Sequence, residues 1–388
     1  MERKNSLLKI LLRSLSYLLV AALASALTLL LWAARGSKLT EVQRLIDAVF
    51  IGEYDADKLE DAAANAMIYS LGDQWSFYLT AEEYLAYQES VNNAYVGVGI
   101  TIVQQENGHL IREVAPGGSA QEAGILPGDV LIKAQGQSVV GLSASEVKNL
   151  ISNKEGTPVT LTVLRDGEEM SFDMICRTIS VTVATGQLLD GNIGLVRINN
   201  FHSGCADQTI QVMEQLQQQG ATALIFDVRN NPGGYVVEML EVLDYLLPEG
   251  VLFREMNYRG GEKTESSDAA CLELPMAVLV NGDSYSAAEF FAACLREYDW
   301  ATTVGTQTCG KSYYQNTFTL SDGSAVNIST GKYFTPKGVS LAEIGGLTPD
   351  IPVEVDQNTD ALIYAQVIEP ANDPQLQAAV AQLQKTPR

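Results

Sequence analysis

The 388-residue chain is 46% hydrophobic and 19% charged, a globular composition in a chain too long for one compact core, so two or three domains are expected. Its formal charge of -22 is uneven: residues 1–35 hold Arg3, Lys4, Lys9, Arg13 and Arg35 against Glu2 alone, leaving 20 basic and 46 acidic residues in the remainder. That surface repels phosphate backbones, which argues against nucleic acid as a partner, and five widely spaced cysteines without a CxxC pair support neither a metal site nor a dense disulfide framework.

From Ser14 to Ala34 the 21 residues SLSYLLVAALASALTLLLWAA carry no charge, enough to cross a bilayer as a helix. Basic residues ahead of it favour an inside N-terminus, so 1–13 is expected in the cytoplasm, 14–34 in the cell membrane as a single-pass anchor, and everything after Gly36 outside. A cleaved signal peptide is the rival, although its apolar region is usually about 7–15 residues.

Residues 39–71 place apolar side chains at helical spacing with a break near GEYDAD, and Thr80 with Glu83 forms a capping box that opens a further helix, so 38–93 reads as a helical segment. Trp75, Phe77 and Tyr78 are expected to pack. Beyond Asn93 come short strands and glycine turns, with one helix at SASEVKNLISN, forming a closed unit over 94–178. The glycines of Val96-Gly97-Val98-Gly99-Ile100-Thr101 run into a strand instead of opening a helix, so they are not a dinucleotide fingerprint. From Ile179 to residue 356 strands and helices alternate, the pattern of an α/β layer on a largely parallel sheet. The tail, 357–388, reads from Asp360 as an amphipathic helix with a frayed end.

Three loops of the α/β region each follow an apolar strand and should emerge together at the carboxyl edge of the sheet, where open α/β folds place their sites. They are Arg229-Asn230-Asn231-Pro232-Gly233-Gly234, Gly282-Asp283-Ser284-Tyr285-Ser286 and Gln307-Thr308-Cys309-Gly310-Lys311. Ser286 opens Ser-Ala-Ala-Glu, so its hydroxyl is open to two roles: a helix cap, or a nucleophile beside the positive end of a helix dipole. Ser284 lies further back in the turn and reads as a loop residue. With only His109 and His202 in the chain, His109 in the strand-rich unit and His202 in a loop, a histidine base is poorly supplied. Lysine is the other partner, and Lys311 is the candidate. Lowering a lysine from about 10.4 to about 7.5 opposes roughly 4 kcal/mol, so it must be enclosed. The Asn-Asn-Pro-Gly-Gly loop offers unobstructed backbone N–H groups, either an oxyanion site or an ordinary strand-to-helix turn.

The motifs DVRNNPGG, NGDSYSAAEFFAACL, GTQTCGKSYYQ with Lys311 25 positions after Ser286, KYFTPKGVS and GLTPDIPVEV resemble, in order, the carboxyl-terminal processing peptidases, the tail-specific serine proteases of family S41. The resemblance runs from about residue 40 to residue 356 and implies a mixed α/β protease core of the crotonase-like type. It implies Ser286 as nucleophile, Lys311 as general base and Gln315 as the residue that positions the lysine, with no cofactor. It also implies an oxyanion site from Gly233 or Gly234 together with the Ala287 amide. The 94–178 unit is similar to a PDZ domain, with Gly97, Val98, Gly99 and Ile100 as the carboxylate-binding loop for a captured substrate C-terminus. Partners implied are proteins or peptides with accessible C-termini, and the flanking helices are candidates for a homodimer contact. The chain departs from many relatives at Ser312, where they carry glycine, and in the bulky pair Tyr313-Tyr314. The competing reading is a catalytically silent, membrane-anchored PDZ adaptor that binds C-terminal peptides.

Overall fold

The computed structural model describes residues 15–25, 27–28, 37–151 and 154–385. Of the expected anchor, Ser14, Ala26 and 29–34 lie outside the described residues, as does the 1–13 segment, while 15–25 are helical and exposed. Among the described residues no helix is long and apolar enough to cross a membrane.

The described chain divides into two units, one ending at Tyr78 and one starting at Leu79. The first contains helices Lys38–Val49 and Ala56–Tyr69, broken at the expected place because Ser37 and Asp55 each cap a helix start with a side-chain oxygen. Neither helix buries a residue, and Val42, Leu45, Val49, Met67 and Tyr69 stand exposed.

The second unit opens with helix Ala81–Val91, whose Thr80–Glu83 capping box forms as the sequence predicts. A strand-rich body follows: an antiparallel sheet of Ile100–Gln105, Gly108–Val114, Val130–Ala134, Pro158–Arg165 and Glu168–Ile175, closed over Val98, Ile111, Leu131, Leu161 and Val163 by helix Ala144–Ile151. Arg165 clamps the buried Asp129 through two hydrogen bonds of 2.6 Å.

The α/β body is built on a six-stranded sheet in the order Ala184–Leu189, Ile193–Ile198, Ala223–Asp227, Met276–Val280, Ala301–Gly305, Ile351–Pro352. The first pair is antiparallel and the rest parallel. Period-two alternation separates two cores. Leu224, Phe226, Val278 and Val280 pack with helices Cys205–Gln218, Val236–Leu246 and Ala287–Glu297, whereas Ala223, Ile225, Ala277 and Leu279 pack with helix Pro374–Lys385.

Two features differ from the sequence reading. An additional antiparallel sheet of Glu262–Ser267, Gly250–Asn257, Ala325–Phe334 and Tyr313–Thr319 stands beside the parallel one. The tail is two helices, Gln357–Tyr364 and Pro374–Lys385, because Gln366 turns left-handed at φ 57° and Pro370 and Pro374 cannot continue a helix.

Candidate active site

Strands Ala223–Asp227, Met276–Val280 and Ala301–Gly305 are successive neighbours in the parallel sheet, so the three expected loops leave the same edge side by side. Ser286 occupies the sharp turn before helix Ala287–Glu297 at φ 59°, ψ −127°, a conformation that costs a non-glycine residue about 1–3 kcal/mol and survives only where its surroundings enforce it. Ser284 anchors the turn that leads into it. Fully buried, its Oγ donates to Val228 O at 2.7 Å and accepts from Asn281 N at 3.0 Å, so it is a structural loop residue, as expected.

The glycine loop is pressed against this turn. A Cβ on Gly233 would lie 2.7 Å from Ser286 Cβ and 2.9 Å from Ala287 N, at a left-handed φ of 87°, so only glycine fits. Asn231, fully buried, holds the loop from inside: its Nδ2 donates to Ile198 O, and its Oδ1 accepts the Gly233 amide at 2.8 Å. Among the described residues the N–H groups of Gly234 and Ala287 donate to no backbone or side-chain acceptor in the chain.

The feature that joins the loops is Glu289, on the first turn of the helix and fully buried. Its Oε1 accepts from Thr308 Oγ1 at 2.5 Å and Gly310 N at 2.6 Å, and its Oε2 from the amides of Ser286 and Lys311, both at 2.9 Å. Burial pushes this carboxyl above the usual range, against the opposing pull of the four hydrogen bonds. The backbones of Ser286 and Lys311 therefore converge on one oxygen. The lysine loop is also packed from behind, since a Cβ on Gly310 would meet Gly346 N at 2.9 Å, while Thr308 N donates to Leu347 O at 3.1 Å and Leu347 N to Thr308 Oγ1 at 2.7 Å. That contact explains why the GLTPD segment accompanies the lysine motif.

Lys311 is half-buried, and Gln315, four residues on, donates its amide to Ser329 Oγ at 3.0 Å and Tyr313 O at 3.1 Å. Ser312 is buried and accepts the Ala342 amide at 2.9 Å, which pins the following turn. The Ser286 hydroxyl meets the phenol of Tyr333 at 2.8 Å. His202 lies beside the glycine loop, its ring tilted at 60° to that of Tyr235 and its Nδ1 buried and unpartnered among the described residues, and burial lowers its pKa. His109 is fully buried in the strand-rich body. Sequence reasoning missed the roles of Glu289, Asn231, Thr308 and Tyr333. Glu289 was visible only as the fourth letter of a capping box, and nothing local in KYFTPKG connects Tyr333 to a serine 47 positions earlier.

In the strand-rich body, Gly97, Val98, Gly99 and Ile100 line a cavity of about 220 Å³ with Ile102, Lys148 and Ile151. Gly99 is left-handed at φ 85°, and Val98 and Gly99 donate their amides to no acceptor among the described residues. Lys148 bonds Glu89 at 3.0 Å at the rim.

A strained serine at a helix start, a glycine loop with unspent amides and a lysine loop on one sheet edge, in a chain that also carries a separate antiparallel body, form the architecture of a serine-type peptidase with an added module. Peptidase family S41 matches residues 192–353 and the PDZ domain matches residues 96–175. The chain is 30% identical over 355 residues to the carboxy-terminal processing protease CtpA of Bacillus subtilis, spanning 87% of this chain and 76% of that one. It is also 30% identical over 324 residues to a CtpA-like serine protease of Staphylococcus aureus, with 82% of this chain and 64% of that protein covered. An S41-type structure from Bacteroides fragilis shares the fold at a TM-score of 0.53 and 17% identity, covering 91% of this chain and 98% of the other. The chain belongs to peptidase family S41, alongside the carboxy-terminal processing proteases.

Proposed function

We propose that the protein is a membrane-anchored endopeptidase that cleaves extracytoplasmic proteins near their C-termini through a Ser286–Lys311 dyad. The observation that carries this reading is the shared Glu289 oxygen, which fixes the nucleophile turn and the lysine loop to one point. In this reading the neutral form of Lys311 takes the Ser286 proton as Oγ attacks the scissile carbonyl, then returns it to the leaving amine as the C–N bond breaks. Water repeats the cycle on the acyl-enzyme. Gln315 orients the lysine. Gly234 and Ala287 receive the oxyanion, because the Gly233 amide is already held by Asn231. The Gly97–Ile100 loop receives the substrate's terminal carboxylate on the Val98 and Gly99 amides, and the apolar lining favours an apolar last residue.

The uncharged 14–34 stretch behind basic residues supports the anchor and the placement of the catalytic body outside. The apolar faces left open on helices Lys38–Val49 and Ala56–Tyr69 support a homodimer contact.

The full chain in detergent micelles, incubated with an unstructured protein ending in apolar residues, should release C-terminal fragments. A fluorophosphonate should modify Ser286 alone, as read by mass spectrometry. Modification elsewhere, or cutting at the parental rate by Ser286→Ala or Lys311→Ala, would sink the dyad; captured but intact peptide would identify a silent adaptor. Gly99→Val should weaken binding of a fluorescent C-terminal peptide about tenfold or more while cutting of substrates that do not use the groove persists, because a side chain there is strained and crowds Ala115 and Gly118.

A further inference from the structure

Tyr333 sits on the Ala325–Phe334 strand with 2% of its surface exposed, and three rings hold it. Phe290 meets it edge-on at 4.5 Å and 89°, Phe253 lies tilted at 5.4 Å, and Tyr314 stacks at 6.4 Å and 12°. Its backbone N–H donates to Ser312 O at 3.1 Å, the residue after Lys311. Tyr333 is thus tied by its main chain to the lysine loop and by its phenol to the nucleophile at 2.8 Å.

We propose that Tyr333 is a further catalytic residue, whose phenolic O–H donates to Ser286 Oγ and stabilises negative charge on that oxygen in both half-reactions. The inference rests on the serine-peptidase reading and extends it. Of two hydroxyls in contact, the phenol is the stronger acid by several orders of magnitude and is the better donor. Burial, with the nearby Glu289 carboxylate, also raises its pKa and keeps the proton on the phenol at neutral pH. With Tyr333 donating to a lone pair of Oγ, the serine's own proton is free to point away from the phenol, available to the base. In acylation the Oγ–H bond breaks, the proton passes to the lysine, and the new Oγ–C bond forms while the phenol retains its proton. In deacylation the Oγ–C bond breaks and Oγ regains a proton from the lysine, with the same phenol steadying the departing oxygen. The three-ring cage fixes the donor before the reaction, so little reorganisation is needed when charge appears.

Tyr333→Phe keeps the caged ring and deletes only the donor. It should lower kcat about 10- to 100-fold, the worth of one hydrogen bond to a charged group, with KM within about twofold. The rate of Ser286 modification by a fluorophosphonate, which does not depend on the peptide groove, should fall by the same factor. Fluorinated tyrosines installed at position 333 keep the packing and should bring an alkaline loss of kcat into the measurable range, at a pH that falls as the phenol becomes more acidic. A purely structural ring would leave both readouts unchanged, and a serine donating to the tyrosine would make Tyr333→Phe faster; either result overturns the proposal. Ser286→Ala run in parallel separates the two layers. If it still cuts, the serine reading fails, whereas a dead Ser286→Ala beside an unimpaired Tyr333→Phe defeats only the role of Tyr333.

Discussion

Glu289→Gln is expected to lose about 100-fold or more in kcat while unfolding at nearly the parental denaturant concentration, because misplacing a reacting group by about 1 Å is that costly. The carboxylate faces four donors and no acceptor apart from the Thr308 hydroxyl. An amide replaces one acceptor oxygen with an NH2 group, so two of those donors meet another donor. If the amide nitrogen takes the Oε2 place, the displaced groups are the Ser286 and Lys311 amides, and the nucleophile turn and lysine loop separate. Stability follows a different balance. Burying a carboxylate costs several kcal/mol, whereas each hydrogen bond to a charged group returns about 1.5–3 kcal/mol. Burial pushes the carboxyl up in spite of the four hydrogen bonds, so burial outweighs them. A raised carboxyl contributes stability that is complete below its unfolded value of about 4.3 and is lost as pH rises through the folded value. The variant, which cannot ionise, should therefore gain on the parent between acid and neutral pH. Urea titrations at pH 4 and pH 7 beside steady-state rates test both halves. Retained activity, or a variant much weaker at pH 7 than at pH 4, would remove Glu289 from its organising role.

The legible parts of this protein were those whose signal is local. The two helices before Tyr78, the Thr80 capping box, the strands ending at Asp227, Val280 and Gly305 and the structural role of Ser284 follow from periodicity and turn chemistry within a dozen residues. Spacing alone left Ser286 divided between cap and nucleophile, and both roles draw on one geometry: the turn that offers Ser286 N to Glu289 also lifts its hydroxyl toward Tyr333. What stayed hidden is long-range. The Gly250–Ser267 hairpin has alternation interrupted by a register shift between Val251 and Phe253 and a charged outer strand, so it reads as loop. The tail helix reads as surface because Gln and Ala dominate it, although Leu376 and Ala379 complete the second core and Asp373 reaches across 144 positions to Arg229.

That last contact sets the second large effect: Arg229→Met should destabilise the fold by about 3–5 kcal/mol at neutral pH, the range for breaking a buried ion pair from one side. The Arg229 side chain is 1% exposed and bonds Asp227 at 2.8 Å and Asp373 at 2.7 Å, with Gln375 at 2.9 Å. Asp373 also accepts the amides of Gln375 and Leu376 at 3.1 Å, so one guanidinium clamps the start of the final helix to the strand that leads into the Asn230–Gly234 loop. Methionine fills the volume but leaves two carboxylates in an apolar interior, with Arg197 at 3.1 Å as the remaining cation beside Asp227. The pH dependence identifies the cause. Burial alone would raise Asp227, yet the charge and hydrogen bonds of Arg229, with Arg197, hold it below the usual range. Its contribution in the parent is therefore present above about 3.9 and is lost as pH falls through the folded value. Without Arg229 the burial cost is no longer offset, and the variant loses stability as pH rises. The gap between parent and variant should consequently be widest near pH 7 and shrink toward pH 4, and adding Asp373→Asn should recover part of it. A deficit that is flat with pH, or below about 1 kcal/mol, would mean that the tail is held by its apolar face alone.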